Sequence, residues 1–393
     1  MAPSPKIRVA LIGLNAPYTS APTGTNWTAI AHLPYLRESS KYELVALQNS
    51  SAERAAKSIN AHGLDPRKVK AYGTPEEVAN DPNIDLVVSS IRVDRHAGSL
   101  IPSIKAGKDV YVEWPVEANY SIAKELTGLA KSHNVRNVVG LQGRFSPIAT
   151  TIKALIDRGE LGRVTSSTII TTLNYTGPTI LSSIDYFTDI KTGGNPFTID
   201  FGHVLECVKE VLGEISTHHS LLINQYPEVD VVDPATREVV EKGRKNTVPN
   251  QVVFDAVLKS GAVLTYKQHD AAGVPPGATP RKDKGRLPVF DWRIFGSKAE
   301  VRVTSYDSIF PNIGSGGFKI EICKAEDGAV VEVELGADEF GHLPEPARNI
   351  ARLYEAFAAG LGERNEKRKW YPDFEYALKT HELIEGMYKE NGF

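Results

Sequence analysis

Ala106-Gly107-Lys108-Asp109-Val110-Tyr111-Val112-Glu113-Trp114-Pro115 reads as a helix end, a turn, a short apolar strand and a Glu-x-Pro corner. In an open α/β sheet the carboxyl ends of the strands face the ligand crevice. Glu113 and Trp114 are therefore expected at that crevice, with Trp114 as a flat apolar wall suited to stacking. Its indole cannot give up a proton near neutral pH.

The surrounding chain repeats the same alternation. Apolar runs at 7–12, 43–48, 84–90, 110–112 and 135–141 predict strands, and 27–36, 52–61, 97–106 and 121–132 have helical composition. Short, nearly continuous apolar strands separated by helices indicate a parallel sheet covered on both faces. Residues 1–145 are thus expected to form an α/β Rossmann nucleotide-binding domain with a parallel, doubly wound sheet.

From about residue 146 the pattern changes. A Thr- and Ile-rich run at 165–173 suits a strand. Further strands are predicted at 219–223, 252–257, 263–268, 292–295, 301–303, 318–322 and 330–335. Helices are predicted at 203–212, 346–361 and 374–388. Residues 146–393 therefore read as an α+β domain with a large, mainly antiparallel open sheet and helices on one face. Its open face suggests a homodimer. The Pro- and Lys/Arg-rich stretch 273–288 reads as an exposed loop, either a solvated connection or a cover over the crevice.

With 393 residues, two domains are the natural expectation. A formal charge of −3 gives no support for direct nucleic-acid binding. No apolar run approaches the roughly 20 residues needed to span a bilayer. The N-terminus runs directly into a strand with no signal peptide visible. Cys207 and Cys323 show no metal-ligand spacing, so no metal site is expected; reduced thiols in the cytoplasm are the simpler reading.

After the first strand, Gly13-Leu14-Asn15-Ala16 precedes an inserted segment and then Asn26-Trp27. A dinucleotide loop wants glycines for the tight turn and for close approach of the backbone to the pyrophosphate. Gly13 supplies the first, Asn15 tolerates left-handed conformations, and Asn26 and Trp27 open the following helix, where the N–H groups favour phosphate. The second strand ends in Gln48-Asn49-Ser50-Ser51, with Arg54 nearby and no acid before Glu53. A carboxylate there would select NAD, so Asn49, Ser50 and Arg54 tilt the expectation slightly toward NADP. Ile91 and His96, after the third strand region, and Glu113, Trp114 and Gln142, at later strand ends, complete the expected cofactor set.

These motifs together resemble the glucose-fructose oxidoreductase/inositol dehydrogenase (Gfo/Idh/MocA) family over nearly the whole chain. The resemblance rests on the strand–Gly13 loop, His96, the Ala-Gly-Lys strand ending in Glu113 and Pro115, Arg144-Phe145-Ser146-Pro147, Gly193-Gly194 with His203 and Glu206, and Phe295-Gly296-Ser297-Lys298-Ala299. Within it, Gly13-Leu14-Asn15-Ala16, Val112-Glu113-Trp114, Leu141-Gln142-Gly143-Arg144 and Phe201-Gly202-His203 are similar to the fungal galactose-regulon repressor branch. The family's catalytic set is a Lys between the Glu and the Pro, and an Asp four residues before a His. Here the Lys position holds Trp114 and the residue four before His203 is Ile199, with Asp200 three before it.

The resemblance implies an NAD(P)-dependent oxidoreductase acting on a small-molecule carbonyl, imine or alkene at the domain interface. His203 is the expected acid or base, and Asp200 either orients it or caps the following helix. Tyr186 is a further proton donor. Arg144, Tyr175 and His269 are expected to bind substrate, Arg144 through a guanidinium fork suited to planar anions; each also has a plain structural reading. The alternative implied by the repressor branch is a non-catalytic NAD(P)-binding transcriptional regulator that engages a protein partner.

Overall fold

The computed structural model describes residues 5–16, 26–173, 175–270, 287–314, 316–360 and 371–393. The inserted segment at 17–25 and nearly all of the 273–288 loop lie outside the described residues. The described residues fall into two compact units. The first comprises Met1–Leu141, Lys191–Gly194 and Phe340–Leu383; the second comprises Gln142–Ile190, Asn195–Glu339 and Ile384–Phe393.

The first unit is built on β1 (Ile7–Ile12), α1 (Leu33–Glu38), β2 (Tyr42–Gln48), α2 (Ala52–Ala61), β3 (Lys70–Tyr72), α3 (Pro75–Asn80), β4 (Leu86–Ser89), α4 (His96–Lys105), β5 (Asp109–Val112), α5 (Tyr120–Ser132) and β6 (Asn137–Val139). Its six strands run parallel in the order β3-β2-β1-β4-β5-β6. That order reverses beside β1, which creates a ligand crevice at the strands' carboxyl ends. Val9 to Leu11 and Leu86 to Val88 have no solvent exposure, as strands covered on both faces require.

Local chemistry sets the helix starts. Ser51 caps α2 by accepting from the Arg54 N–H, and Asn119 caps α5 from the Ile122 N–H. Thr74 and Glu77 form a reciprocal capping box around Pro75 at the head of α3. A wide π turn, Thr28–His32, leads into α1. The closing part of the chain returns to this unit: Tyr354 and Phe357 of the helix Glu345–Ala359, and Phe374 of the helix Phe374–Glu390, are buried.

The second unit holds α6 (Pro147–Asp157), β7 (Val164–Leu173), β8 (Thr179–Leu181), α7 (Gly202–Leu212), β9 (Ile215–Ile223), β10 (Glu228–Val232), β11 (Val239–Lys245), β12 (Gln251–Leu258), β13 (Val263–Asp270), β14 (Phe290–Gly296), β15 (Ala299–Ser305), β16 (Phe318–Lys324) and β17 (Val330–Glu332). Eight strands form one sheet in the order β17-β16-β15-β14-β7-β13-β12-β9, antiparallel throughout except for β13 beside β7. One face carries Val252, Phe254, Ala256, Leu264 and Trp292, all buried; the opposite face leaves Ile170, Leu221, Val257 and Val263 exposed. The alternation along each strand produces this one-sided burial. A second sheet, β11-β10-β8, stands apart in hydrogen bonding.

Candidate functional site

The first unit builds its crevice from the turn after β1. Gly13 has φ +97°, and a Cβ there would sit 2.4 Å from the Ser90 carbonyl oxygen and 2.6 Å from Ile91 Cγ2. Only glycine allows the β1 turn to lie against the end of β4. The Thr28 hydroxyl, from the π turn, reaches the same place, 3.1 Å from the Ser90 carbonyl and 2.9 Å from its hydroxyl. Asn26 Oδ1 and Trp27 Nε1, at the head of that turn, are buried with no hydrogen-bond partner among the described residues. Buried polar atoms of this kind call for a ligand or water. Together with the glycine-only turn, the Trp27 N–H donor fits a dinucleotide phosphate, whereas the Asn26 oxygen, an acceptor, calls for a hydroxyl or a water.

Several expected cofactor residues have definite protein partners. The Asn49 amide donates to the Leu14 carbonyl at 3.0 Å, fixing the phosphate-loop backbone. His62, which sequence reasoning passed over, bonds the Asn15 carbonyl at 2.8 Å. Asn15, Ser50 and Arg54 are exposed, and Ala16 is half-buried. The rim near the second strand therefore presents a hydroxyl and a guanidinium. The carboxylate nearest in sequence is the exposed Glu53.

His96 is fully buried and braces two loops. Its Nδ1 lies 3.0 Å from the Pro115 carbonyl and its Nε2 3.1 Å from the Ile91 carbonyl. Burial lowers its pKa, against the pull of those carbonyls. Glu113 turns toward His32: its Oε1 is 3.0 Å from His32 Nε2, and the Tyr354 hydroxyl lies 2.9 Å from Nδ1. Both Glu113 carboxylate oxygens would lie 2.6 Å from a Cβ on Gly140, so that glycine makes room for the pair. Tyr111 and Tyr354 stack at 5.3 Å, each with its edge or face to His32. Trp114 is buried with its ring 4.6 Å from that of His381. His381 accepts the Val116 N–H at 3.1 Å, and burial pulls its pKa down to about 3. It is therefore a neutral wall.

In the second unit, Asp200 stands on another wide π turn, Phe197–Phe201, directly before α7. No side chain caps α7; Asp200 instead accepts a hydrogen bond from the Tyr175 hydroxyl. Its carboxyl is 1% exposed, and burial pushes its pKa up to about 8. Burial and the neighbouring carboxylate push the Tyr175 phenol well up as well. Nearby, Tyr266, whose pKa is raised by burial and further by the Asp200 charge, bonds Thr171 at 2.9 Å and donates to Gln268 at 2.7 Å. The Gln268 amide nitrogen is buried without a partner among the described residues.

The other expected residues are more scattered. His203 is buried on the first turn of α7. Arg144 donates through Nε to Glu206 at 2.6 Å, with both side chains nearly buried. Tyr186 is half-buried, edge-on to Phe187 at 4.8 Å. His269 lies 3.3 Å from the Thr172 hydroxyl and 3.1 Å from the Asp270 carbonyl. Gln142, at the start of this unit, is buried with both amide ends unpartnered among the described residues. Tyr175 and Asp200 are thus brought into contact, while Arg144 is held in an ion pair. Among the described residues no group of three or more His, Cys, Asp or Glu could hold a metal ion, and no helix is long and apolar enough to cross a membrane.

Residues 21–141 match the family model described as the oxidoreductase family with an NAD-binding Rossmann fold, and residues 147–305 match that of the Gal80p C-terminal domain. The dehydrogenase aclE of Aspergillus oryzae is 29% identical over 90% of this chain and 93% of its own. The galactose/lactose metabolism regulatory protein GAL80 of Saccharomyces cerevisiae is 25% identical over 98% of this chain and 92% of its own. Among solved structures, a super-repressor mutant of Saccharomyces cerevisiae Gal80p superposes with a TM-score of 0.83 at 22% identity, covering 99% of this chain and 96% of that one. An NAD-binding oxidoreductase from Klebsiella pneumoniae gives 0.72 at 18% identity, covering 98% and 97%.

Proposed function

We propose that this chain, whose residues 21–141 match the oxidoreductase family model with an NAD-binding Rossmann fold, is an NAD(P)-dependent oxidoreductase of the Gfo/Idh/MocA kind acting on a small-molecule carbonyl, imine or alkene. The observation that carries the reading is the glycine-only turn at Gly13, set against Ser90 and Ile91 at the reversal point of the parallel sheet. When bound, the nicotinamide supplies hydride chemistry. The chain's own residues supply the holding and the proton.

Gly13, Asn15, Ala16, Asn26 and Trp27 would hold the pyrophosphate. Ser50 and Arg54 would meet the ribose, with NADP slightly favoured because a hydroxyl and a guanidinium stand there. Asn49 and His96 act one step back, by fixing the Leu14 and Ile91 carbonyls. Ile91, Glu113 and Trp114 would complete the nicotinamide end within the first unit, and Gln142, with both amide ends unpartnered among the described residues, is a further candidate for cofactor contact. In the second unit, a carboxyl kept protonated at neutral pH can give its proton through a neighbouring group. We assign Asp200 that store, with Tyr175 as its contact, and His203 and Tyr186 as further donors. Arg144 and His269 would border the substrate.

Single-turnover mixing tests the reading. The protein is loaded with NADPH or NADH and mixed with a panel of small ketones, aldehydes, imines and conjugated alkenes. Loss of reduced-nicotinamide absorbance is expected with at least one of them. Dinucleotide binding without oxidation across the panel would overturn the enzyme reading. That result would favour the second reading, a dinucleotide-binding regulator acting through a protein partner. Trp114 in the place of the family's Lys supports that alternative, as does the span of the GAL80 match. We also propose a cytoplasmic protein, because both cysteines are free thiols, and a homodimer formed through the exposed apolar face of the large sheet. A monomeric mass in light scattering would remove the dimer.

A further inference from the structure

The π turn Thr28–His32 reaches the chain just past three strands of the first unit: Gly13 after β1, Ser90 after β4 and Glu113 after β5. So short a segment can do this because Thr28 and His32 stand four residues apart and face inward together. They are 2% and 0% exposed, while Ile30 between them is 40% exposed. The Leu33 N–H donates to the Thr28 carbonyl and closes the turn. Widened turns of this kind concentrate at functional sites. At the first residue, the Thr28 hydroxyl lies 2.9 Å from the Ser90 hydroxyl, 3.1 Å from the Ser90 carbonyl and 3.3 Å from the Gly13 carbonyl. At the last, His32 Nε2 lies 3.0 Å from Glu113 Oε1. Just ahead of the turn stands Trp27, whose buried indole N–H has no partner among the described residues.

The contact between His32 and Glu113 has a direction. A carboxylate only accepts hydrogen bonds, so Nε2 carries the proton, and in the neutral ring Nδ1 accepts from the Tyr354 hydroxyl at 2.9 Å. Burial, with smaller pushes from Tyr42 and Glu113, drives the Tyr354 phenol well up, so it keeps the proton it donates. Glu113 has little spare room. Both carboxylate oxygens would lie 2.6 Å from a Cβ on Gly140, and the side chain is only 12% exposed. A shift of the turn therefore has to move Glu113 or break its hydrogen bond. A phosphate oxygen at the Trp27 N–H would give that buried donor the partner it lacks, and would hold the head of the turn.

We propose that this turn ties the phosphate end of the crevice to Glu113, with His32 as the positioning residue, so that a pyrophosphate at the head of the turn sets the carboxylate at the end of β5. The tie rests on the dinucleotide reading above and serves an enzyme or a regulator equally. Its test uses ADP, which carries the pyrophosphate but neither the second ribose nor the nicotinamide. The full-length protein is labelled with fluorotryptophan, and the Trp27, Trp114 and Trp292 fluorine resonances are assigned by single Trp→Phe substitutions. Trp27 reports the pyrophosphate and Trp114 the surroundings of Glu113, while Trp292, buried in the second unit, is the reference. Saturable shifts of Trp27 and Trp114 with one midpoint are expected in the wild type, with Trp292 unmoved. In His32→Leu the Trp114 shift should be lost and the Trp27 shift kept. His32→Gln, whose amide can still donate to Glu113, should restore it. Thr28→Val cuts the tie at its other end, leaves the histidine in place, and should diminish the Trp114 shift. A Trp114 resonance unmoved while Trp27 responds overturns the proposal, as does one that moves equally in His32→Leu and Thr28→Val, or a Trp292 shift of equal size. A silent Trp27 overturns the dinucleotide reading first, and the tie with it.

Discussion

Each unit places one wide π turn ahead of a helix, and each turn buries a titratable side chain. The turn Thr28–His32 presents His32, and the turn Phe197–Phe201 presents Asp200. Their surroundings differ. His32 has a partner on each ring nitrogen, Glu113 and Tyr354, and two tyrosine rings, Tyr111 and Tyr354, packed edge-to-face against it. Asp200 has one phenol and full burial. The first arrangement fixes geometry, because both ring nitrogens of His32 are answered. The second favours the neutral acid, because a single neutral donor does not repay the desolvation of a carboxylate. A doubly bonded histidine therefore marks the first unit, and a buried carboxyl that favours its neutral form marks the second.

The pH dependence of stability is the strongest way to break this contrast. The folded-state pKa of Asp200 is raised to about 8, so its contribution is fully present below the unfolded value near 3.8 and is lost as pH rises through 8. Denaturant titrations should show wild-type stability declining over that window by on the order of 1 kcal/mol per pH unit. Asp200→Asn should flatten the decline. An unchanged slope would mean that the carboxyl is not held neutral.

His32→Leu attacks the other side of the comparison. It leaves Glu113, only 12% exposed, without its partner. Urea unfolding should show a loss of about 2–4 kcal/mol, and a smaller loss would show that Glu113 finds water. In the same unit, Gly13→Ala forces a Cβ against the Ser90 carbonyl at positive φ. Calorimetric titration with NADPH should show affinity falling roughly 10- to 100-fold, in line with backbone strain of 1–3 kcal/mol. The smallest effect is expected from Ser50→Asp. It should move the NADPH-to-NADH affinity ratio about tenfold toward NADH, as a carboxylate at the ribose does.

The parallel sheet was legible because its central strands are unbroken apolar runs. The lesser elements were not. β3 is only Lys70–Tyr72, too short for any period to show. Yet Thr74, Pro75 and Glu77 do spell a capping box, and that local signal marks α3. Likewise Ser146-Pro147 announces α6 through a side-chain cap and a proline in the first turn. β11 is exposed along nearly its whole length and has no alternation to read. The sequence pattern gives one boundary near residue 145, with no sign that a later segment returns across it. Phe340–Leu383 instead groups with the first unit, because Tyr354, Phe357 and Phe374 supply core contacts no local pattern reveals.

At the candidate site, spacing and strand ends gave the loop at Gly13. Side-chain commitments were invisible. Glu113 and His32 stand 81 residues apart, and Tyr175 and Asp200 stand 25 apart. Nothing in either local sequence announces its partner. Arg144 shows the same limit, since a guanidinium free to bind an anion and one paired with Glu206 read alike in sequence.

The return of Phe340–Leu383 to the first unit has a consequence for synthesis. Between Leu141 and Phe340 the ribosome adds nearly 200 residues (339 − 141 = 198), which takes roughly 10–40 s at ordinary elongation rates. Through that interval the six parallel strands have emerged, but Tyr354, Phe357 and Phe374 have not been made. The nucleotide-binding unit, first in the sequence, is therefore among the last parts of the chain able to finish folding.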